Sequence, residues 1–193
     1  DWYWKQFGYT SREKMMTIRG KPLPNNNFCE FDPLKNTLNI SCYNLNENNI
    51  QQVIDQINRF GPRFIHAYPS ALKNITTLFE GRKESLDLSI QAAFLGSEQL
   101  FPSDRTYFEE FYQMKVVNWY GHTERLIFGG NCPYSDEYHF YPSYGYIELL
   151  DENDQPVNHP GEEGRIVATG FDNKVMPFIR YDTGDFGELS ELE

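Results

Sequence analysis

The stretch Phe64-Ile65-His66-Ala67-Tyr68-Pro69-Ser70-Ala71-Leu72-Lys73-Asn74-Ile75-Thr76-Thr77-Leu78-Phe79 decides the fold. Phe64 to Tyr68 make a short apolar run ending at Pro69, which suits a strand. Ser70 is a good N-cap, and Leu72, Ile75, Leu78 and Phe79 follow at helical spacing. One strand-to-helix step is written there. Upstream, Ile50, Val53, Ile54, Ile57 and Phe60 follow Asn49 at the same spacing and stop at Gly61-Pro62, predicting a helix whose apolar stripe faces a sheet. Downstream the step repeats: Ile90 to Leu95 reads as a buried strand, Gly96-Ser97 as a turn, and Ser103 as the cap of a helix carrying Tyr107, Phe108 and Phe111. Lys115 to Trp119 is the next strand. This alternation predicts an α/β fold, a mostly parallel sheet flanked by helices, in which ligands gather at the carboxyl ends of strands.

After Glu124 the texture changes to turns and alternating strands, at Tyr144 to Leu150, Arg165 to Thr169 and Phe178 to Tyr181, so a smaller β-rich region is expected there. Asp151 to Asp154 and Pro160 to Gly164 carry turn chemistry between those strands. The chain thus divides into 1–124 and 125–193. Near the start, strands are expected at Met15 to Arg19 and Thr37 to Tyr43, separated by a Pro/Asn-rich loop from Lys21 to Asn27. Trp2, Tyr3, Trp4, Phe7 and Tyr9 are expected to form an apolar face whose cover lies outside this sequence.

Composition narrows the partners. With 17 Lys and Arg against 28 Asp and Glu, the net charge of -11 argues against nucleic acid, whose affinity comes from cations neutralising phosphates. Three scattered cysteines, Cys29, Cys42 and Cys132, suit a reducing compartment such as the cytoplasm rather than a disulfide framework. No apolar run approaches the roughly 20 residues that span a bilayer, so no membrane is expected. Cys132 and His139 have no further pair to complete a structural zinc site of about four ligands. The sequence opens on Asp1, not methionine, and is read as a processed or excerpted chain.

Two clusters carry chemistry. Tyr120-Gly121-His122-Thr123-Glu124 lies at a predicted strand end, as does Gly96-Ser97-Glu98, and Tyr181-Asp182-Thr183-Gly184-Asp185 follows later. The first and last of these each join an aromatic face, a glycine, a hydroxyl and a carboxylate. Those groups suit a base, a close backbone approach, a phosphate oxygen, and a metal ion or ribose diol. Either cluster alone also reads as a polar turn. Asp185 could accept two hydrogen bonds from a ribose diol, whereas His122 reads as a polar turn residue.

Taken in order, Gly96-Ser97-Glu98, Tyr120 to Glu124, Gly161 to Gly170 and Arg180 to Asp185 resemble the core motifs of adenylate-forming ligases. The likeness points to the phenylacetate-CoA ligase branch and its relatives from capsular polysaccharide biosynthesis, and Tyr68-Pro69-Ser70 shares it. It covers most of the chain from about Gly61 onward.

The resemblance implies a nucleotide-binding α/β subdomain over 1–124 and a β-rich subdomain over 125–193 that ends in the ribose-binding motif. It implies that Gly96, Ser97 and Glu98 line the adenine and substrate side, and that Tyr120 packs on adenine with Gly121 beside it. Thr123 would reach the α-phosphate, Glu124 would help to hold magnesium, and Asp185 would take the ribose hydroxyls. The reaction implied is attack of a small carboxylic acid on ATP, giving an acyl-adenylate that is passed to coenzyme A. The aromatic content does not choose an aryl acid over an aliphatic one.

Three departures accompany the likeness. The family's Gly/Ser/Thr-rich phosphate loop is not found, and eight residues follow Asp185 where a lysine-bearing domain should stand. Position 182 is Asp where the family usually carries a basic residue. The chain is therefore expected to be the central part of a large domain, inactive alone, whose partners include the N-terminal and C-terminal remainder of the same enzyme. A non-catalytic nucleotide-binding or scaffolding module, and a purely structural α/β domain, are the rival readings.

Overall fold

A computed structural model describes residues 2–20, 22–43 and 45–191. In chain order it holds a one-turn helix α1 (Trp2–Lys5), strands β1 (Met15–Arg19), β2 (Cys29–Asp32) and β3 (Thr37–Ser41), helix α2 (Ile50–Phe60), β4 (Phe64–Ala67), α3 (Pro69–Glu80), β5 (Ala92–Gly96), α4 (Pro102–Tyr112) and β6 (Lys115–Gly121). There follow β7 (Phe128–Gly130), β8 (His139–Phe140), β9 (Gly145–Leu150), β10 (Glu163–Gly170) and β11 (Tyr181–Glu188). These elements form two compact units, Asp1–Asn118 and Trp119–Glu193.

In the first unit β1 pairs parallel with β3 and with β4, and β4 pairs parallel with β5, in the order β2-β3-β1-β4-β5-β6. The antiparallel β2 sits on the edge. This is the mostly parallel sheet that the alternation of strands and helices predicts.

Alternate side chains of a strand go to opposite faces. Ile65, Ala67, Ala93 and Leu95 therefore join Met16, Ile18 and Ile40 in one core with the α2 stripe Ile50, Val53, Ile54 and Ile57 and with Leu72, Ile75 and Phe79 of α3. Gly61 ends α2 in the left-handed region, φ 62°, so that its N–H reaches the Ile57 carbonyl at 2.8 Å.

The opposite face is aromatic. Phe64 and Phe94 lie 5.9 Å apart in near-parallel rings, Trp4 stacks on Phe94 at 4.5 Å, and Tyr9 meets Phe64 edge-on at 5.3 Å. Tyr3 and Phe7 are buried with them. The N-terminal aromatics are thus not a patch awaiting a cover from elsewhere; they are the cover of their own sheet. Trp2 stays exposed.

Ser70 and Ser103 do not cap their helices. The extended residues Tyr68 and Phe101 precede Pro69 and Pro102, whose fixed φ starts each helix earlier than the serines would. The loop expected from Lys21 to Asn27 contains a one-turn 3-10 helix at Pro24–Asn26, and Lys21 itself lies outside the described residues. The expected strand from Thr37 stops at Ser41, and α1, β2, β7 and β8 correspond to no element that the sequence pattern predicts.

In the second unit the end of β6 pairs antiparallel with β7, which pairs with β8. Strands β9, β10 and β11 make a separate antiparallel sheet in the order β11-β10-β9. Leu126, Ile127, Ile166 and Ala168 form its small buried core.

One expectation is overturned here. Phe178 to Arg180 are not strand, and the extended run begins at Tyr181 and passes through the polar motif. Register moves from Val167↔Asp182 to Arg165↔Phe186, so Thr183, Gly184 and Asp185 face Ile166 alone. This is a bulge, with Gly184 at φ 78°.

Candidate functional site

In the first unit, β5 delivers Gly96 to its end, and Ser97 then turns the backbone at φ 66°. That turn places the Glu98 carboxylate over the start of α3, where it accepts the Ser70 backbone N–H and the Ser70 hydroxyl, each at 2.9 Å. A helix start presents unpaired N–H groups and a partial positive charge, which an anion satisfies. Tyr68-Pro69-Ser70 and Gly96-Ser97-Glu98 therefore meet in space, although 28 residues separate Ser70 from Glu98 in the chain.

In the second unit, β6 carries Tyr120 and Gly121 to its end, and the chain turns at once, closed by Arg125 N–H to the His122 carbonyl at 3.1 Å. Thr123 and Glu124 occupy the tip of this turn, both exposed. A methyl group on Gly121 would meet nothing nearer than 3.5 Å, so packing within the protein does not demand glycine there.

The bulge in β11 projects Asp185 toward the same place. The Tyr120 hydroxyl donates to Asp185 Oδ2 at 2.7 Å across 65 residues of sequence. His122 Nε2 lies 2.7 Å from the same hydroxyl and 4.0 Å from Asp185 Oδ2. Its side chain is 15% exposed, so His122 is not the surface turn residue that its position suggests. Residues 120 and 122 are two apart on an extended segment and share a side of it, which is the pattern that could have revealed the pairing.

Burial, and after it the Asp185 carboxylate, push the Tyr120 phenol above its ordinary range. The ring is held edge-on by His122 at 4.9 Å and by Phe140 at 5.9 Å. It forms part of the wall of a cleft of about 690 Å³ with Phe140, Ile147, Leu149, Ile166 and Phe186. Clefts of that size commonly hold small organic ligands.

The bulge is secured from within. The Thr183 hydroxyl donates to the Ile166 carbonyl at 2.8 Å and accepts the Asp185 N–H at 3.2 Å, while the Gly184 N–H donates to Asp182 Oδ1 at 3.0 Å. Asp182, at the position expected to be basic, pairs with Arg165 on the neighbouring strand, and Arg165 also reaches Asp154. The Gly184 N–H first and Arg165 second hold the Asp182 carboxyl below the usual carboxylate range. Its charge is used to brace the bulge.

Glu124 is a lone exposed carboxylate, and among the described residues no group of three His, Cys, Asp or Glu could hold a metal ion. The Cys132 sulfur accepts the Tyr134 N–H at 3.4 Å, within its own turn. No described helix is long and apolar enough to cross a membrane.

A phenylacetate-coenzyme A ligase of Thermus thermophilus is 29% identical over 138 residues, covering 69% of this chain and 31% of that protein. The fold is similar to that of a 2-hydroxyisobutyryl-CoA ligase solved in an open conformation with 2-HIB-AMP and CoA, at TM-score 0.68 and 15% identity over 95% of this chain and 45% of that one. It is similar also to a Brucella canis acyl-CoA synthetase, at TM-score 0.66 and 18% identity over 97% of this chain and 38% of that one. The chain thus spans about a third of the curated relative and under half of these structures. The family model described as AMP-binding enzyme matches residues 29–177, most of the sequence, and the chain belongs to that family of adenylate-forming ligases.

Proposed function

We propose that this chain carries the adenosine-binding part of an enzyme that activates a carboxylic acid with ATP and passes the acyl group to coenzyme A. The observation that carries the proposal is the convergence of Tyr120 and Asp185, 2.7 Å apart on two different strands. In this reading the Tyr120 ring packs on adenine, Asp185 accepts the ribose hydroxyls, and the exposed turn offers the Thr123 hydroxyl to the α-phosphate. Gly96, Ser97 and Glu98 of the first unit would line the adenine and substrate side, with backbone against the base.

The chemistry asks little more of the protein. A carboxylate is ionised near pH 7 and is already a nucleophile, so its attack on the α-phosphorus needs no general base. It needs in-line positioning and donors fixed at the phosphoryl oxygens, where charge develops. Glu124 would hold magnesium, which when bound neutralises that charge. Pyrophosphate leaves, and a thiol then displaces AMP from the acyl-adenylate to give a thioester.

The 29% identity to a phenylacetate-coenzyme A ligase favours an aryl acid of that kind as substrate. Three cysteines without a disulfide among them favour the cytoplasm.

Calorimetric titration with AMP tests the reading. Asp185→Ala is expected to weaken binding by about 1 to 3 kcal/mol, the range for losing a charged hydrogen-bonding partner. Unchanged affinity in a folded variant would remove Asp185 from the site. Saturable AMP binding without acid-dependent pyrophosphate release by the longer parent protein would favour a nucleotide-binding module over an enzyme.

A further inference from the structure

Asp185 is 52% exposed in its side chain and hangs on a bulge, yet a carboxylate that is to select a diol must be held in one orientation. The geometry supplies the means. A phenol has one proton, and a carboxylate can only accept, so the 2.7 Å contact from Tyr120 to Asp185 Oδ2 spends the Tyr120 proton. The second short contact of that hydroxyl, 2.7 Å from His122 Nε2, must then be one in which the imidazole donates. His122 therefore carries a proton on Nε2, and the three groups form a directed chain from imidazole to phenol to carboxylate.

The chain runs from the inside outward. The His122 side chain is 15% exposed and Asp185 is 52% exposed, so the donor that sets the direction is the shielded member and the acceptor faces solvent. The Tyr120 ring between them cannot swing freely, being met edge-on by His122, Phe140 and Tyr138. One carboxylate oxygen is tied down by this arrangement, and Oδ1 is the oxygen left to meet a ligand.

We propose that His122 and Tyr120 are positioning residues that orient the Asp185 carboxylate for a ribose diol, with His122 Nε2–H fixing the phenol so that its proton is always directed at Oδ2. The proposal rests on the nucleotide reading above. It gives His122 a task in ligand selectivity.

The test has two arms on the full chain, each with folding checked by circular dichroism. In the first, nitrogen-15 NMR of the His122 ring in wild type should report the Nε2–H tautomer. In the second, the affinity for AMP is divided by that for 3′-deoxy-AMP. Wild type should prefer AMP by about tenfold, the effect of one hydrogen bond to a charged group. Tyr120→Phe keeps the ring, so any loss of adenine packing falls on both ligands alike, and the ratio should drop to about threefold or less. His122→Ala should lower the ratio similarly, and His122→Gln, which retains an N–H donor, should recover part of it.

An Nδ1–H tautomer in wild type overturns the proposal. So does a ratio unchanged in folded Tyr120→Phe and His122→Ala, and in that case the nucleotide reading stands. If wild type binds neither ligand, the nucleotide reading itself fails and the ribose role of His122 falls with it.

Discussion

The two units use their polar residues in opposite ways. In the first, the Glu98 carboxylate is engaged twice by Ser70 at the start of α3, and the sheet is apolar on both faces, with helices over one and the N-terminal aromatics over the other. In the second, a small buried core that includes Leu126, Ile127, Ile166 and Ala168 supports a bulged strand whose polar groups face outward, with Asp185 half exposed. The difference teaches where rigidity and chemistry come from. Regular pairing and burial make a scaffold, and a departure from regular pairing aims a side chain that a straight strand would have pointed elsewhere.

The contrast can be broken most directly at Phe94, which is fully buried and stacked by Trp4 at 4.5 Å. Phe94→Ala should cost about 3 to 5 kcal/mol in urea unfolding, the usual range for deleting a buried aromatic side chain. Trp4 emission should shift toward that of exposed indole. A cost below about 1 kcal/mol would mean that the aromatic face does not hold the first unit together.

Acid offers a slightly smaller effect on the same face. Burial first, and the Arg19 guanidinium second, lower the His66 imidazole to about 4, against 6.5 for an unperturbed histidine. Between those values the unfolded chain binds the proton and the folded chain does not, so stability falls as pH drops from about 6.5 toward 4. The loss should approach about 3 kcal/mol, and His66→Gln should flatten it. A slope unchanged in that variant would show that other groups carry the acid sensitivity.

The legibility of the sequence follows the same division. Period-2 and period-3.6 patterns in residues 50–119 mark strands and helices because burial imposes them, and β4, β5, β6 and the stripe of α2 lie where those patterns place them. The aromatic run from Trp2 to Tyr9 shows no such period. Its cover function comes from ring contacts with Phe64 and Phe94, far away in the chain, so the sequence offered no local sign of it. Ser70 misled because a proline one residue earlier starts the helix, and the serine is used to hold Glu98.

In the second unit the motif around Asp185 was visible as chemistry but not as geometry. Its irregular register depends on Arg165 pairing with Asp182 and on Thr183 bonding to Ile166, which are choices of the folded chain. The contact of His122 with Tyr120 follows from the two-residue spacing at the end of β6, which the sequence offers only as a pattern shared with many polar turns.

The smallest expected effects separate scaffold from site within the second unit, through two glycines. A Cβ on Gly145 would lie 1.8 Å from the Leu126 carbonyl oxygen, a backbone atom that cannot swing aside. Gly145→Ala should therefore cost about 2 kcal/mol or more, by forcing β9 away from the small core. Gly121 is the exposed last residue of β6 with ordinary contact distances around it, and Gly121→Ala should change stability by less than about 0.5 kcal/mol. Both are read by thermal unfolding of the full chain. If Gly145→Ala is harmless, β9 does not need its close approach to Leu126. If Gly121→Ala is as costly as Gly145→Ala, glycine at 121 serves the fold and offers no reason to place a ligand against that backbone.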